Sequence, residues 1–453
     1  MKARSIAIGA VVVLLLVGLG WAVRSGLLDR LDPEGRHLLI AWYSRWAAPP
    51  VDTADDVLVW PRPNNPLGVN TFLEQEADPE LRRRTVAAIR AAGFGWIRQQ
   101  FPWDNIEPVR KGQYIDRVVG VDTWAKYDQI VDLAREHGLE VIARLDTSPP
   151  WARPGNPWPA TPPDIYANYV DFVEAVARRY RGRIRYYQVW NEPNLTSEWG
   201  HRSVNAAEYV ELLRLAAERI RRTDPAAVIL SAALAPTIEE SDQALNELRY
   251  LEEMYRYGAA PYFDVMSVQA YGLRSGPDDR RLEIRDINFS RPLLVRQVMV
   301  HQGDAGKPIW ASEVGWNAQP DELDKPPIFG RVSDDLQARY TVRGLERARQ
   351  EWPWMGVMAI WFFKRADYNW LDEPMYYFRM VEPDLTPRPV YYAVQEYARR
   401  QNYFSLIGEA TPPQPSPQAG RSACYFLAGG SRGVDGPQRR LGRHHRPERS
   451  LDD

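Results

Sequence analysis

One cysteine, Cys424, stands in 453 residues, so no disulfide can form within the chain and thiol pairing says nothing about its compartment. Histidine is scarce too. His37, His137, His201, His301, His444 and His445 are scattered singly apart from the last two, without Cys/His ligand spacing and without H-E-x-x-H. No metal and no other cofactor is expected; His137 and His301 fall at the ends of predicted helices, where they read as cap residues. Neither sign of charge dominates: 57 Lys and Arg face 59 Asp and Glu, which leaves no field to attract a phosphate backbone and excludes nucleic acid as a partner. The sequence also lacks G-x-x-x-x-G-K-[ST] and a G-x-G-x-x-G after a strand, and its one G-x-S-x-G, Gly429 to Gly433, lies in the tail with no strand before it. Nucleotide-binding and serine-hydrolase chemistry therefore have no motif to stand on.

What is abundant is ring and proline. Seventeen Trp, 23 Tyr and 37 Pro gather in segments that read as loops, where a flat apolar ring with a polar handle suits the face of a sugar. The N-terminus opens with Lys2 and Arg4 ahead of an uncharged run from Ser5 to Val23, long enough to cross a bilayer core. Residues 1–24 are thus expected to be an uncleaved membrane signal-anchor, 25–63 a juxtamembrane stalk and 64–400 the folded domain, placed outside the cytoplasm; the alternative is a signal peptide cleaved at the small-x-small pattern Gly20-Trp21-Ala22, which would leave the domain secreted. Residues 401–453, with "TPPQPSPQAG" and "GPQRRLGRHHRPERSLDD", have too few apolar residues to pack and are expected to be disordered. A monomer is expected.

Between Asn64 and Arg400 apolar strands alternate with one-sided helices. The strands read Leu67–Phe72, Gly95–Phe101, Leu139–Asp146, Ile184–Trp190, Ala227–Leu234, Phe263–Tyr271, Pro308–Val314 and Val357–Phe363. Helix ends are legible: Asp78-Pro79 pairs an N-cap with proline at the first helical position, and Gly93 closes the same helix. Strands that are apolar throughout, each followed by an amphipathic helix, imply a parallel sheet covered by helices. Eight such units predict an α/β fold, a (β/α)8 TIM barrel with enlarged loops.

In a parallel barrel the C-terminal strand ends share one rim, and there two segments break their apolar runs. "RYYQVWNEPN" ends the fourth strand on Asn191 and Glu192, and "PIWASEVGWN" carries Glu313 on the seventh. Two carboxylates facing each other across the mouth, about 5 to 5.5 Å apart, would suit retaining glycoside hydrolysis, one as acid/base and one as nucleophile. Arg98 and Tyr271, ending the second and sixth strands, could both reach Glu313, and Asn191 could bond a sugar 2-hydroxyl.

"VWNEPN" and "WASEVGW" resemble the two catalytic strands of clan A glycoside hydrolases, nearest to family 39 and similar cellulase-like enzymes; the likeness extends through "IRQQFPWDNIEP" and "TSPPWA". The resemblance implies Glu192 as acid/base, Glu313 as nucleophile, Asn191 as 2-hydroxyl ligand and Trp361 on the eighth strand as the subsite floor. Arg98, Gln269, Tyr271, Trp103, Trp151 and Trp316 complete the expected substrate-binding set, while Trp158, Trp199 and Trp370 lie in or near the same loops. One departure is visible: many clan members carry histidine two residues before the strand 6 tyrosine, where this chain has Gln269. The expected function is a retaining β-glycosidase acting on a poly- or oligosaccharide. The competing expectation is a catalytically inactive glycan-binding barrel in polysaccharide export.

Overall fold

The structure, a computed structural model, describes residues 17–22, 25, 35, 39–44 and 50–404. Its sheet consists of β1 (Leu67–Thr71), β2 (Trp96–Pro102), β3 (Glu140–Asp146), β4 (Tyr186–Val189), β5 (Val228–Leu230), β6 (Met266–Tyr271), β7 (Ile309–Gly315) and β8 (Met355–Ile360). The helices are α1 (Pro79–Ala91), α2 (Trp103–Ile106), α3 (Trp124–Glu136), α4 (Tyr166–Arg179), α5 (Ala206–Thr223), α6 (Glu247–Arg256), α7 (Pro292–His301), α8 (Asp334–Glu351) and α9 (Pro389–Arg400). Apart from the single-turn α2, one helix follows each strand. The strands run parallel in the order β5-β4-β3-β2-β1-β8-β7-β6. Single bridges, Leu230 to Val265 and Leu234 to Val268, join β5 to β6 and close the barrel. The eight-unit expectation is met. β5 stops short of the expected Leu234 because the backbone beyond it serves another loop, described below.

Local chemistry sets the helix ends as the sequence indicates. The Asp78 carboxylate accepts the Glu80 N–H at 2.9 Å with Pro79 at the first position, and Asn205 caps α5 by accepting from Ala207 N and Glu208 N. Each cap satisfies amide donors that the first helical turn leaves open. The helices bury their apolar faces against the outside of the strands in one continuous core. α9 completes the outer ring against α1, with Tyr391 Oη donating to Ala88 O at 3.0 Å and Gln395 Nε2 to Ala91 O at 2.7 Å.

The interior is layered, because alternate residues of each strand point inward. A lower plug is apolar: Trp96, Ile142, Val228, Leu230, Val265, Trp310 and Val357, with Trp60 and Tyr186 packed against it. Two residues further along three strands the side chains turn polar, at Arg98, Arg144 and Gln188. The plug corrects one expected boundary. Residues 52–60 are not stalk but a cap on the N-terminal face of the barrel: Trp354 Nε1 donates to Asp55 Oδ1 at 3.1 Å, Arg296 Nε donates to Thr53 O at 2.9 Å, and Val59 is buried. Trp60 is an apolar ring that the open end of the barrel can bury, which a tether in water cannot do.

Among the described residues no helix is long and apolar enough to cross a membrane. Most of the expected anchor over 1–24, and all of the expected tail beyond residue 404, lie outside the described residues.

Candidate active site

Why β4 ends on Asn-Glu-Pro-Asn follows from what holds the turn. Trp190 and Glu192 take positive φ, 68° and 44°, a left-handed conformation that costs side-chain-bearing residues about 1–2 kcal/mol each. Asn194 offsets that cost from full burial: its Nδ2 donates to Ala235 O and Leu245 O, both at 2.9 Å, and its Oδ1 accepts from Ala235 N at 2.9 Å. Glu192 N donates to Ala233 O at 2.9 Å. The chain beyond β5 thus satisfies the turn after β4 instead of extending the ladder, and Pro193, with no N–H, leaves no donor orphaned.

Glu313 sits near the end of β7, buried. Arg98 Nη1 donates to its Oε1 at 3.0 Å and Tyr271 Oη to its Oε2 at 2.6 Å, so both reach it as the sequence suggests. Arg98 is the hub of the polar layer: Nε donates to Gln188 Oε1 at 2.8 Å, Nη1 also to Asn70 Oδ1 at 2.7 Å, and Nη2 to Asn191 Oδ1 at 2.9 Å. Asn70 is itself fixed by Ser312 O at 2.8 Å. Burial pulls the Arg98 guanidinium down from its usual range and Glu313 opposes that pull. Burial first, then Glu313, raises the Tyr271 phenol well above its ordinary value, so it remains a donor.

Glu192 has a different environment. It is half-buried, and its hydrogen-bond partner is an amide, Gln269 Nε2, rather than a cation. Burial, then the carboxylates of Glu198 and Glu313, push its carboxyl up to about 8. The two candidate carboxylates therefore differ in kind: one is met by a guanidinium and a phenol, as an anionic nucleophile requires, and the other keeps its proton near neutral pH, as an acid requires.

Several members of this cluster escaped the sequence reading. Glu198, on the turn after β4, hydrogen-bonds the Asn191 side chain, and burial raises its own carboxyl. Trp190 Nε1 donates to Glu198 O at 3.0 Å, which folds that turn back over the mouth. Arg144 pairs with Asp146 on β3, and Gln100 Nε2 reaches Asp146 Oδ1 at 2.8 Å. Asn70, Gln188, Arg144 and Asp146 did carry a signal: each is polar inside an apolar strand, on the inward phase. Glu198, on a loop, carried none.

The tryptophans divide. Trp361, after β8, is nearly buried and stands edge-on to Phe72 with centroids 5.6 Å apart. Trp103 and Trp316, expected on the rim, are core rings instead: Trp103 stacks on Phe172 at 5.5 Å and Trp316 donates Nε1 to Ser275 O at 2.8 Å. Both are shut off from solvent by the helices behind them. Trp199 is likewise buried, against Trp190, whereas Trp158 and Trp370 are exposed. Trp151 is half-buried, with Nε1 on Glu107 O at 2.8 Å.

A model of the cellulase family, glycosyl hydrolase family 5, matches residues 62–247, from just before β1 to the start of α6. The first half of the barrel is thus similar to the cellulase family. Solved structures carry the same fold. A family 39 glycoside hydrolase from the gut symbiont Bacteroides cellulosilyticus WH2 aligns with TM-score 0.56 at 20% identity, covering 78% of this chain and 65% of that one. The exo-β-1,4-mannosidase Op5Man5 from Opitutaceae bacterium strain TAV5 aligns with TM-score 0.52 at 18% identity, over 75% of this chain and 60% of that one. The β-glucosidase-like protein SFR2, chloroplastic, of Oryza sativa subsp. japonica is 25% identical over 121 residues, 26% of this chain and 18% of that protein. The chain thus spans less than two thirds of each. The family match includes Glu192 of the cellulase-like barrel but ends before Glu313, whose place rests on the geometry above.

Proposed function

We propose that this chain is a retaining β-glycoside hydrolase that cleaves O-glycosidic bonds of a poly- or oligosaccharide by double displacement. The observation that carries this is the pair of carboxylates ending β4 and β7 in opposite environments. Glu192, protonated near neutral pH, gives its proton to the leaving glycosidic oxygen as Glu313 attacks the anomeric carbon. Glu192, now ionised, then takes a proton from water, which displaces Glu313 and restores the starting configuration. Arg98 and Tyr271 position Glu313, and Asn191 presents its amide to the sugar beside the acid. The cellulase-like fold and the sugar-active relatives support the same reading.

The uncharged run from Ser5 to Val23 supports a location outside the cytoplasm on a membrane anchor. Hydrolysis of aryl β-glycosides, followed by NMR of the first-formed sugar, tests the mechanism. A β-anomer is expected; an α-anomer would overturn double displacement, and no turnover of any glycoside would leave glycan binding without catalysis.

A further inference from the structure

Beside the catalytic mouth lies a cation that the mechanism does not use. Arg365 follows β8, and Phe72 follows β1, its neighbour in the barrel. The Arg365 guanidinium carbon lies 3.8 Å from the ring centroid of Phe72, 4.3 Å from that of Trp370 and 4.9 Å from that of Phe362. Phe72 in turn stands edge-on to Trp361. The guanidinium therefore forms part of one aromatic wall with the ring expected to floor the subsite.

Its nitrogens are poorly provided for. Nε is buried with no hydrogen-bond partner, and Nη2 reaches nothing stronger than Met375 Sδ at 3.9 Å. Arg365 is 6% exposed, and no carboxylate pairs with it among the described residues. The nearby acids are engaged elsewhere. Glu76 takes Lys364 Nζ at 2.8 Å, Glu74 takes Gln99 Nε2 at 2.5 Å, and Asp367 caps its own turn through Asn369 N at 3.0 Å. The other cations of the mouth have partners: Arg98 with Glu313, and Arg144 with Asp146. Burial lowers Arg365 to about 10, which still leaves it charged at neutral pH. A guanidinium stripped of water without an anion is costly, and stacking on rings returns only part of the loss.

We propose that Arg365 receives the carboxylate of an acidic sugar, so that the glycan bound in this mouth contains uronate residues. The inference rests on the glycan-cleaving reading above and names its substrate class. A planar fork of parallel N–H donors matches two carboxylate oxygens. Met375, half-buried and unbranched, is a side chain that can yield the Nε and Nη2 edge. The surrounding rings of Phe72, Trp361 and Trp370 offer the apolar surface on which a sugar ring sits while its carboxylate meets the cation.

The test uses the full chain carrying Glu313→Gln, so that bound glycan is not consumed. Calorimetry compares a β-1,4-linked oligoglucuronate with the same oligosaccharide after chemical reduction of its carboxyls. The acidic form should bind roughly 10- to 100-fold more tightly, the range of a hydrogen bond to a charged group. That ratio should fall toward one when Arg365→Gln is added. Should that protein not fold, Arg365→Lys, which keeps the charge but loses the fork, should still lower the ratio. Equal binding of the two forms, no binding of either, or a ratio untouched by both substitutions would overturn the proposal. Hydrolysis of neutral aryl β-glycosides by the native chain is read separately, so loss of the acidic-sugar inference leaves the glycosidase reading standing or falling by itself.

Discussion

On the proposed double displacement Glu192 and Glu313 act at different moments, and their substitutions should separate them. Glu313→Ala removes the nucleophile, so turnover of every substrate should fail, with azide rescuing an inverted product. Glu192→Ala removes the proton donor alone. Activated aryl glycosides should then retain far more activity than natural glycans, which lose the roughly 10² to 10⁴ that general acid catalysis contributes; equal losses on both would exclude Glu192 as the acid. Because the acid must hold its proton, activity should decline as pH rises through about 8. Glu198→Gln removes a neighbouring negative charge, so the alkaline limb of the pH–rate profile should move to lower pH. Stability carries the opposite imprint. The folded Glu192 binds a proton that the unfolded chain releases near 4.5, so its contribution to stability is lost as pH rises from there to about 8. Glu192→Gln should accordingly melt higher than the native chain at pH 9, by a margin larger than at pH 5.

At the scale of elements, the turn after β4 is held by Asn194, and α5 is held at its start by Asn205. Asn194→Ala strands Ala235 N, Ala235 O and Leu245 O inside the protein, at about 1–3 kcal/mol for each unsatisfied group. A drop in melting temperature is expected together with a loss on natural glycans exceeding that on activated ones, because the displaced group is the proposed acid. Asn205→Ala, far from the mouth in its role, should cost about 1 kcal/mol and leave the ratio of the two substrates as it was. Should both variants shift that ratio alike, the Asn194 turn is not what places Glu192.

At the scale of the whole molecule, the barrel assigns its two ends to different work. The lower end is sealed by the apolar plug and by residues 52–60, while the upper end is polar and carries the carboxylates. The chain that seals the lower end leads back toward the expected anchor. The intact protein should sediment with membranes and a chain without residues 1–24 should stay in the supernatant, where it keeps its activity. Recovery of intact native protein in the supernatant would overturn the anchored arrangement.

Periodicity in the sequence determined the eight strands, their alternation with helices, the N-cap at Asp78 and the strand ends bearing Glu192 and Glu313. These are legible because a buried parallel strand must be apolar, so a carboxylate in it is conspicuous. The tertiary structure alone decided which rings face solvent: Trp103 and Trp316 are indistinguishable in sequence from rim tryptophans, and only the helices packed behind them bury them. It alone brought Glu198 to Asn191 and Arg365 onto Phe72, since contacts between loops depend on how far the barrel turns between its strands. It also moved residues 52–60 from tether to cap. Burial is a property of what arrives from elsewhere in the chain, and no local pattern records it.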